Sequence, residues 1–307
     1  MSPRPAFFLS AILVAVGATA SVGAAQAEVE VTLQLARTTV HECDPLWVAF
    51  RFANRSDRQL AINMKRPGFV FERQEGEQWR PVYLRGIVGS DLRIATHMVA
   101  PEGAVHGEIR LGYSMTQLEP GEYRMRVVFP KYGVPGESAW HEFTVLPHAG
   151  NREFTDRLKA APRAEPAGSA ASRFFMGGAR AGFSFGLTLL EYERHMRAFA
   201  SGADLSPGLA AELQHELATI AQNQALLARH AGDEATAREH AKAGLALLAA
   251  IDLSTSQRLD TGGQPAAIRE SRIDLLSISS PEVAAIERQT LMSEFPQRRG
   301  AVRLPSR

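Results

Sequence analysis

The chain has 307 residues, of which 45% are hydrophobic, 22% charged and 7% aromatic, a composition that excludes both a disordered polymer and a polytopic membrane protein. Its 34 lysines and arginines stand against 33 acids, so the overall charge supplies no field for steering toward nucleic acid. Cys43 is the only cysteine, which rules out an intramolecular disulfide and leaves apolar cores to hold the fold.

Residues 1–27 have the form of a secretory signal. Arg4 is their only charged residue, Ala6 to Val16 is an apolar run of 11 residues, and Ala25-Gln26-Ala27 supplies small residues at a cleavage position. An uncleaved anchor is the alternative, but a comfortable span needs roughly 20 apolar residues. Cleavage after Ala27 would place the mature chain, from Glu28, outside the cytoplasm, in a periplasmic or extracellular space. It would then balance 33 bases against 33 acids. No later segment reaches the length of a membrane span, and no cysteine directly follows the apolar run for lipid attachment.

Residues 28–147 alternate apolar and polar side chains with the period of half-buried strands. Val29, Val31, Leu33 and Leu35 open the pattern, and Leu46 to Phe52 repeat it before the turn Asn54-Arg55-Ser56-Asp57. Further strands are expected at Gln59 to Met64, Phe69 to Arg73, Trp79 to Leu84, Val105 to Leu111, Tyr123 to Phe129 and Trp140 to Leu146. Turns such as Glu75-Gly76, Pro101-Glu102-Gly103 and Pro120-Gly121 separate several of them. Seven to nine short strands in this length predict a β-sandwich. Trp47, Trp79 and Trp140 are expected in the core between its sheets; an exposed aromatic platform for carbohydrate is the functional alternative. Cys43 is expected as a small buried side chain beside a strand, with a reactive thiol as the alternative.

The order of these pieces, ending in Leu118-Glu119-Pro120-Gly121-Glu122-Tyr123-Arg124-Met125, resembles bacterial immunoglobulin-like modules over about 120 residues. It bears a looser likeness to β-sandwich proteinase inhibitors. The resemblance implies that the Tyr123 hydroxyl returns to nearby backbone as a corner bond. It implies a fold and leaves adhesion, chaperoning and inhibition open.

Residues 148–172 carry Pro162, Pro166, Gly168 and Ser169 and read as a linker with a short helix from Glu153 to Ala160. From Leu187 the period becomes helical. Leu189, Tyr192, Met196 and Phe199 share one face, and Ser206-Pro207 is a helix start. Leu209, Leu213, Leu217, Ile220 and Leu227 form the next seam, and Asp233 is placed to cap a third helix after Gly232. Leu227 to Asp233, followed by Ala237, Ala241 and Gly244, resembles one tetratricopeptide hairpin, a family whose stacked hairpins bind partner peptides. Only one unit matches, and Ala228 stands where an aromatic is common. A three-helix bundle of 187–201, 207–231 and 233–251, within a domain of 173–251, is therefore preferred over a superhelix. Residues 252–307 read as a partly ordered extension with one helix starting at Ser280-Pro281-Glu282 and a basic, solvated end. The expected fold is α+β in two domains.

Four patterns could carry chemistry. Gly182-Phe183-Ser184-Phe185-Gly186 fits a nucleophile elbow, but no strand–helix alternation surrounds it to place an acid and a histidine. His215-Glu216 begins like a zinc-protease helix, yet Thr219 stands where the second histidine belongs. His230 and His240 are ten residues apart, which turns them away from one another on a helix. His41-Glu42-Cys43-Asp44 groups four ligand types on an extended segment whose alternation keeps them from closing on one ion. No phosphate-binding or dinucleotide glycine pattern occurs, so no cofactor or metal is expected and no catalytic residue is assigned. The preferred reading is an exported, non-catalytic interaction protein that binds another protein or an envelope component. An exported serine hydrolase using Ser184 and a β-sandwich proteinase inhibitor are the alternatives.

Overall fold

The computed structural model describes residues 28–63, 68–84, 96–112, 115–129, 136–160 and 189–296. The chain is α+β: strands occupy the N-terminal half of the described residues, and the helices follow them. The eight expected strands are all present. They are β1 (Val29–Leu35), β3 (Leu46–Asn54), β4 (Leu60–Asn63), β5 (Gly68–Glu75), β6 (Gln78–Val82), β8 (Ala104–Leu111), β9 (Gly121–Phe129) and β11 (His141–Leu146). The short strands β2 (Thr39–His41), β7 (Thr96–Val99) and β10 (Gly136–Glu137) were not expected; unlike β4, which lies in the run Gln59 to Met64, none was read from the sequence as part of an alternating run.

One sheet has the order β1-β3-β8, a second β2-β11-β9-β5-β6 with β10 on β9, and β4 pairs with β7. All pairs are antiparallel except β2 with β11. The first two sheets share one core. Val31, Leu33, Phe50, Phe52 and Ile109 meet Phe69, Phe71, Met125, Val127, Phe129 and Phe143 within it. Phe129 packs edge-on against Phe50 and Phe52, with ring centroids 5.7 and 5.2 Å apart, an arrangement favoured by the ring quadrupoles. Phe50 lies across Gly107, its register partner on β8, where an added Cβ would fall 2.1 Å from the ring. Only glycine leaves the phenylalanine its place there.

Six helices follow. They are α1 (Ala149–Ala160), α2 (Leu189–Ala200), α3 (Pro207–His230), α4 (Glu234–Ala249), α5 (Gly263–Ser279) and α6 (Pro281–Glu294). Helix α1 begins earlier than the sequence suggests and buries Phe154 and Leu158 against Tyr192, Met196, Leu209 and Leu213. Ser206 caps α3 by accepting from Leu209 N at 3.1 Å, with Pro207 in the first turn, and Asp233 caps α4 through Thr236 N at 3.0 Å. Ala237, Ala241 and Gly244 are buried where α4 packs against its neighbours.

The C-terminal region departs from expectation. It contains two helices rather than one, and α5 contributes Ile268, Leu275 and Ile278 to the same core as α3 and α4. The helices therefore extend beyond the anticipated three. Residues 297–307 lie outside the described residues, as do 1–27 and Ser184 with its flanking glycines.

Candidate functional site

The strands and helices meet along a seam built from polar side chains. At its first station the turn His41-Glu42-Cys43-Asp44, between β2 and β3, reaches the starts of α1 and α3. Asp44, 1% exposed, accepts from Asn151 Nδ2 at 3.0 Å, from the Ser206 hydroxyl and from the His41 backbone N–H at 3.3 Å. Its Oδ2 lies 2.8 Å from where a Cβ would stand on Gly208, so glycine in the first turn of α3 admits the carboxyl group. Burial pushes the Asp44 carboxyl above its ordinary range, opposed by the bonds from Ser206, His41 and Asn151. Beside it Glu42 pairs with Arg152 of α1. Cys43 is buried, its thiol is likewise pushed up by burial, and its backbone takes the left-handed φ of 65°.

The second station centres on Glu212 of α3. It accepts from Trp47 Nε1 at 3.2 Å and Gln264 Nε2 at 3.1 Å, and it pairs with Arg110 of β8 at 3.0 Å. Gln257 accepts from the Trp47 backbone N–H at 2.9 Å, and Glu108 of β8 accepts from Gly263 N at 3.1 Å at the start of α5. Within the helices, His215 meets Ser271 at 2.8 Å, and the Tyr192 hydroxyl donates to Glu216 at 2.9 Å. A buried polar group without a partner costs about 1–3 kcal/mol, so these bonds hold the elements in register.

Within this turn Asp44 engages Asn151, Ser206 and His41 while Glu42 engages Arg152. Among the described residues no group of three or more histidines, cysteines or acids converges as a metal site. His215 and Glu216 point to different partners, on α5 and α2. The Tyr123 hydroxyl donates to the Glu119 carbonyl at 2.8 Å, a return to nearby backbone of the kind the resemblance implies.

The tryptophans correct one expectation. Trp47 is buried, but Trp79 and Trp140 are half-buried on the outer face of the larger sheet. The Arg124 guanidinium lies 4.7 Å from the Trp79 ring and 4.6 Å from the Trp140 ring, and Arg126 lies 4.6 Å from Trp140. Arg124 also pairs with Glu72, and Arg126 with Glu137 at 2.9 Å. Alternation on β9 turns both arginines outward, and the rings cover them by cation–π contact. Ring faces occupied by guanidinium groups are not a free platform for sugar.

An open apolar groove of about 480 Å³ lies where α2, α3 and α4 meet, lined by Leu189, Leu190, Gln224, Leu227 and His240. Leu190 is 69% exposed and Leu227 61%. Sequence periodicity assigns Leu189 and Leu227 to core faces. The structure packs Leu189 against the core of α1, α2 and α3 at the rim of the groove, and leaves Leu227 exposed on it.

The sequence matches no family model and no curated protein. Among solved structures, a β-glucosidase from Listeria innocua in complex with isofagomine aligns at 17% identity and a TM-score of 0.25, covering 39% of this chain and 16% of its own. An alkylpurine DNA glycosylase from Pseudomonas fluorescens bound to DNA aligns at 12% identity and 0.27, covering 39% and 31%. A structural-genomics target, SoR45, aligns at 13% and 0.21, covering 39% and 84%. The matched region thus spans under a third of the length of the two enzymes.

Proposed function

We propose that this chain is an exported, non-catalytic interaction protein that binds another protein or component of the cell envelope. The observation that carries the reading is the groove at Leu189, Leu190, Leu227 and His240. Leucines two-thirds exposed on adjoining helices form an apolar patch of the kind that marks a docking surface. The engagement of Asp44, Ser206, Glu212, His215 and Glu216 in bonds between elements agrees with it, since those bonds employ the side chains that an active site would need.

The proposed architecture is an immunoglobulin-like β-sandwich followed by a helical domain with a tetratricopeptide-like hairpin at α3 and α4. The core common to two sheets and the Tyr123 return bond support the first part. The tight Gly232-Asp233 turn and the small buried residues of α4 support the second. Export rests on residues 1–27, whose apolar run and Ala25-Gln26-Ala27 fit a cleaved signal.

Two measurements test the proposal. Tagged protein recovered from the native envelope should begin at Glu28 and retain a partner that Leu190→Asp with Leu227→Asp releases. An intact Met1 end in an integral membrane fraction would contradict export. Equal recovery of the partner by wild type and the double variant would contradict the groove.

A further inference from the structure

The helices form a stack in which α3 is covered on two sides. On one side Leu213 and Ile220 share a cluster with Tyr192 of α2; on the other Ala218 and Ala225 share one with Leu275 of α5. Helix α6 comes last, packing Ala284 and Leu291 against Ile273 and Leu276 of α5. In stacked helices the outer face of the last element has no neighbour to bury it, and polar residues there keep the end solvated. The outer face of α6 carries an apolar ridge instead. Val283 is 45% exposed and Ile286 65%, and their i, i+3 spacing sets them side by side. The groove of Leu190 and Leu227 lies on the far side of α3, where α2 joins the stack.

Each patch carries an unengaged charge. Arg194 lies one turn beyond Leu190 on α2, and Glu282 one turn before Ile286 on α6, the i, i+4 spacing that puts each pair on one face. Neighbouring charges are already taken: Arg197 pairs with Glu193 at 2.8 Å, and Glu287 with Arg272 at 3.1 Å. Arg194 and Glu282 are exposed, and neither side chain has an ion-pair or hydrogen-bond partner among the described residues. The order is reversed between the two helices, apolar then basic on α2, acidic then apolar on α6. Laid antiparallel, the two faces match leucine to isoleucine and arginine to glutamate. Within one chain α3 and α5 stand between them, so the match requires a second copy.

We propose that the α6 ridge of one copy docks in the groove of the next, antiparallel to α2 and with Glu282 facing Arg194, so that copies associate head to tail. This occupant presupposes the groove as a docking surface and names what fills it. Such a contact is heterologous: every added copy brings a free ridge and a free groove, so assembly continues past the dimer. Both patches are small, which places the contact among weak, concentration-dependent associations.

Sedimentation velocity of the full chain from Glu28, at concentrations up to about 500 µM, reads the assembly. The weight-average mass should climb past that of a dimer. Leu227→Asp spoils the groove and Ile286→Asp the ridge, so each variant alone should stay monomeric. Mixed in equal amounts they should form a 1:1 dimer and nothing larger, because each keeps the surface the other lacks. Both positions are mostly exposed, and circular dichroism checks that the variants fold; Leu190→Asp or Val283→Asp replaces one that does not. Arg194→Glu should weaken association about two- to fivefold, and Arg194→Glu with Glu282→Lys should recover it. A wild type that stays monomeric or stops at the dimer overturns the proposal. So does a single groove or ridge variant that still assembles, a mixture that stays monomeric, or a charge swap that restores nothing. The groove is judged separately, by the envelope partner. A monomeric wild type whose envelope partner is still released by Leu190→Asp with Leu227→Asp overturns the second copy and leaves the groove a docking surface. Retention of that partner by the double variant overturns both.

Discussion

The Tyr123 return bond was implied by the resemblance to immunoglobulin-like modules, and the structure closes it on the Glu119 carbonyl four residues upstream. The Tyr123 ring stacks on Phe143 with centroids 5.6 Å apart while its hydroxyl donates to Glu119 O. Tyr123→Phe keeps the ring and removes the donor, so it should lower stability by about 1 kcal/mol. Urea unfolding should report this as a lower midpoint at unchanged m-value; a variant as stable as wild type would show that the return bond contributes nothing. Trp79 and Trp140 were not legible in the same way. Their placement depends on Arg124 and Arg126, which reach them from a strand distant in sequence, and aromatic content alone does not reveal such pairs.

Among the elements, strands lying within alternating runs of five or more residues could be read from the sequence, as could α3 and α4 from their caps and apolar faces. Helix α5 could not. It opens with Gly263-Gln264-Pro265, which reads as a loop, and its buried face includes Gln264 and Ser271. Those polar residues belong there because Glu212 and His215 of α3 bond them, a relation the local sequence does not express. Yet α5 is integral to the helical core: Leu275 is fully buried in the cluster of α3 and α4. Leu275→Ala should cost about 2–5 kcal/mol, as large-to-small changes in packed interiors do. Thermal unfolding should show a marked drop in Tm, and an unchanged Tm would remove α5 from the core.

At the scale of the whole molecule, the division into strands and helices was visible as a change of period, but the seam joining them was not. Asp44 meets Asn151 across 107 positions and Ser206 across 162, and each of these residues alone reads as a turn or cap residue. The groove was hidden for a related reason, since Leu227 fits the apolar seam of α3 yet stands exposed beside Leu190. The seam employs side chains suited to catalysis, and the groove presents side chains suited to a partner. The direct test of that assignment is photo-crosslinking in the native envelope, with a benzoylphenylalanine placed at Leu190 or, as a control on the sheet edge, at Gln78. A discrete adduct at Leu190 and none at Gln78 is the expected result. No adduct at Leu190, or the same adduct from both positions, would contradict a partner-binding groove.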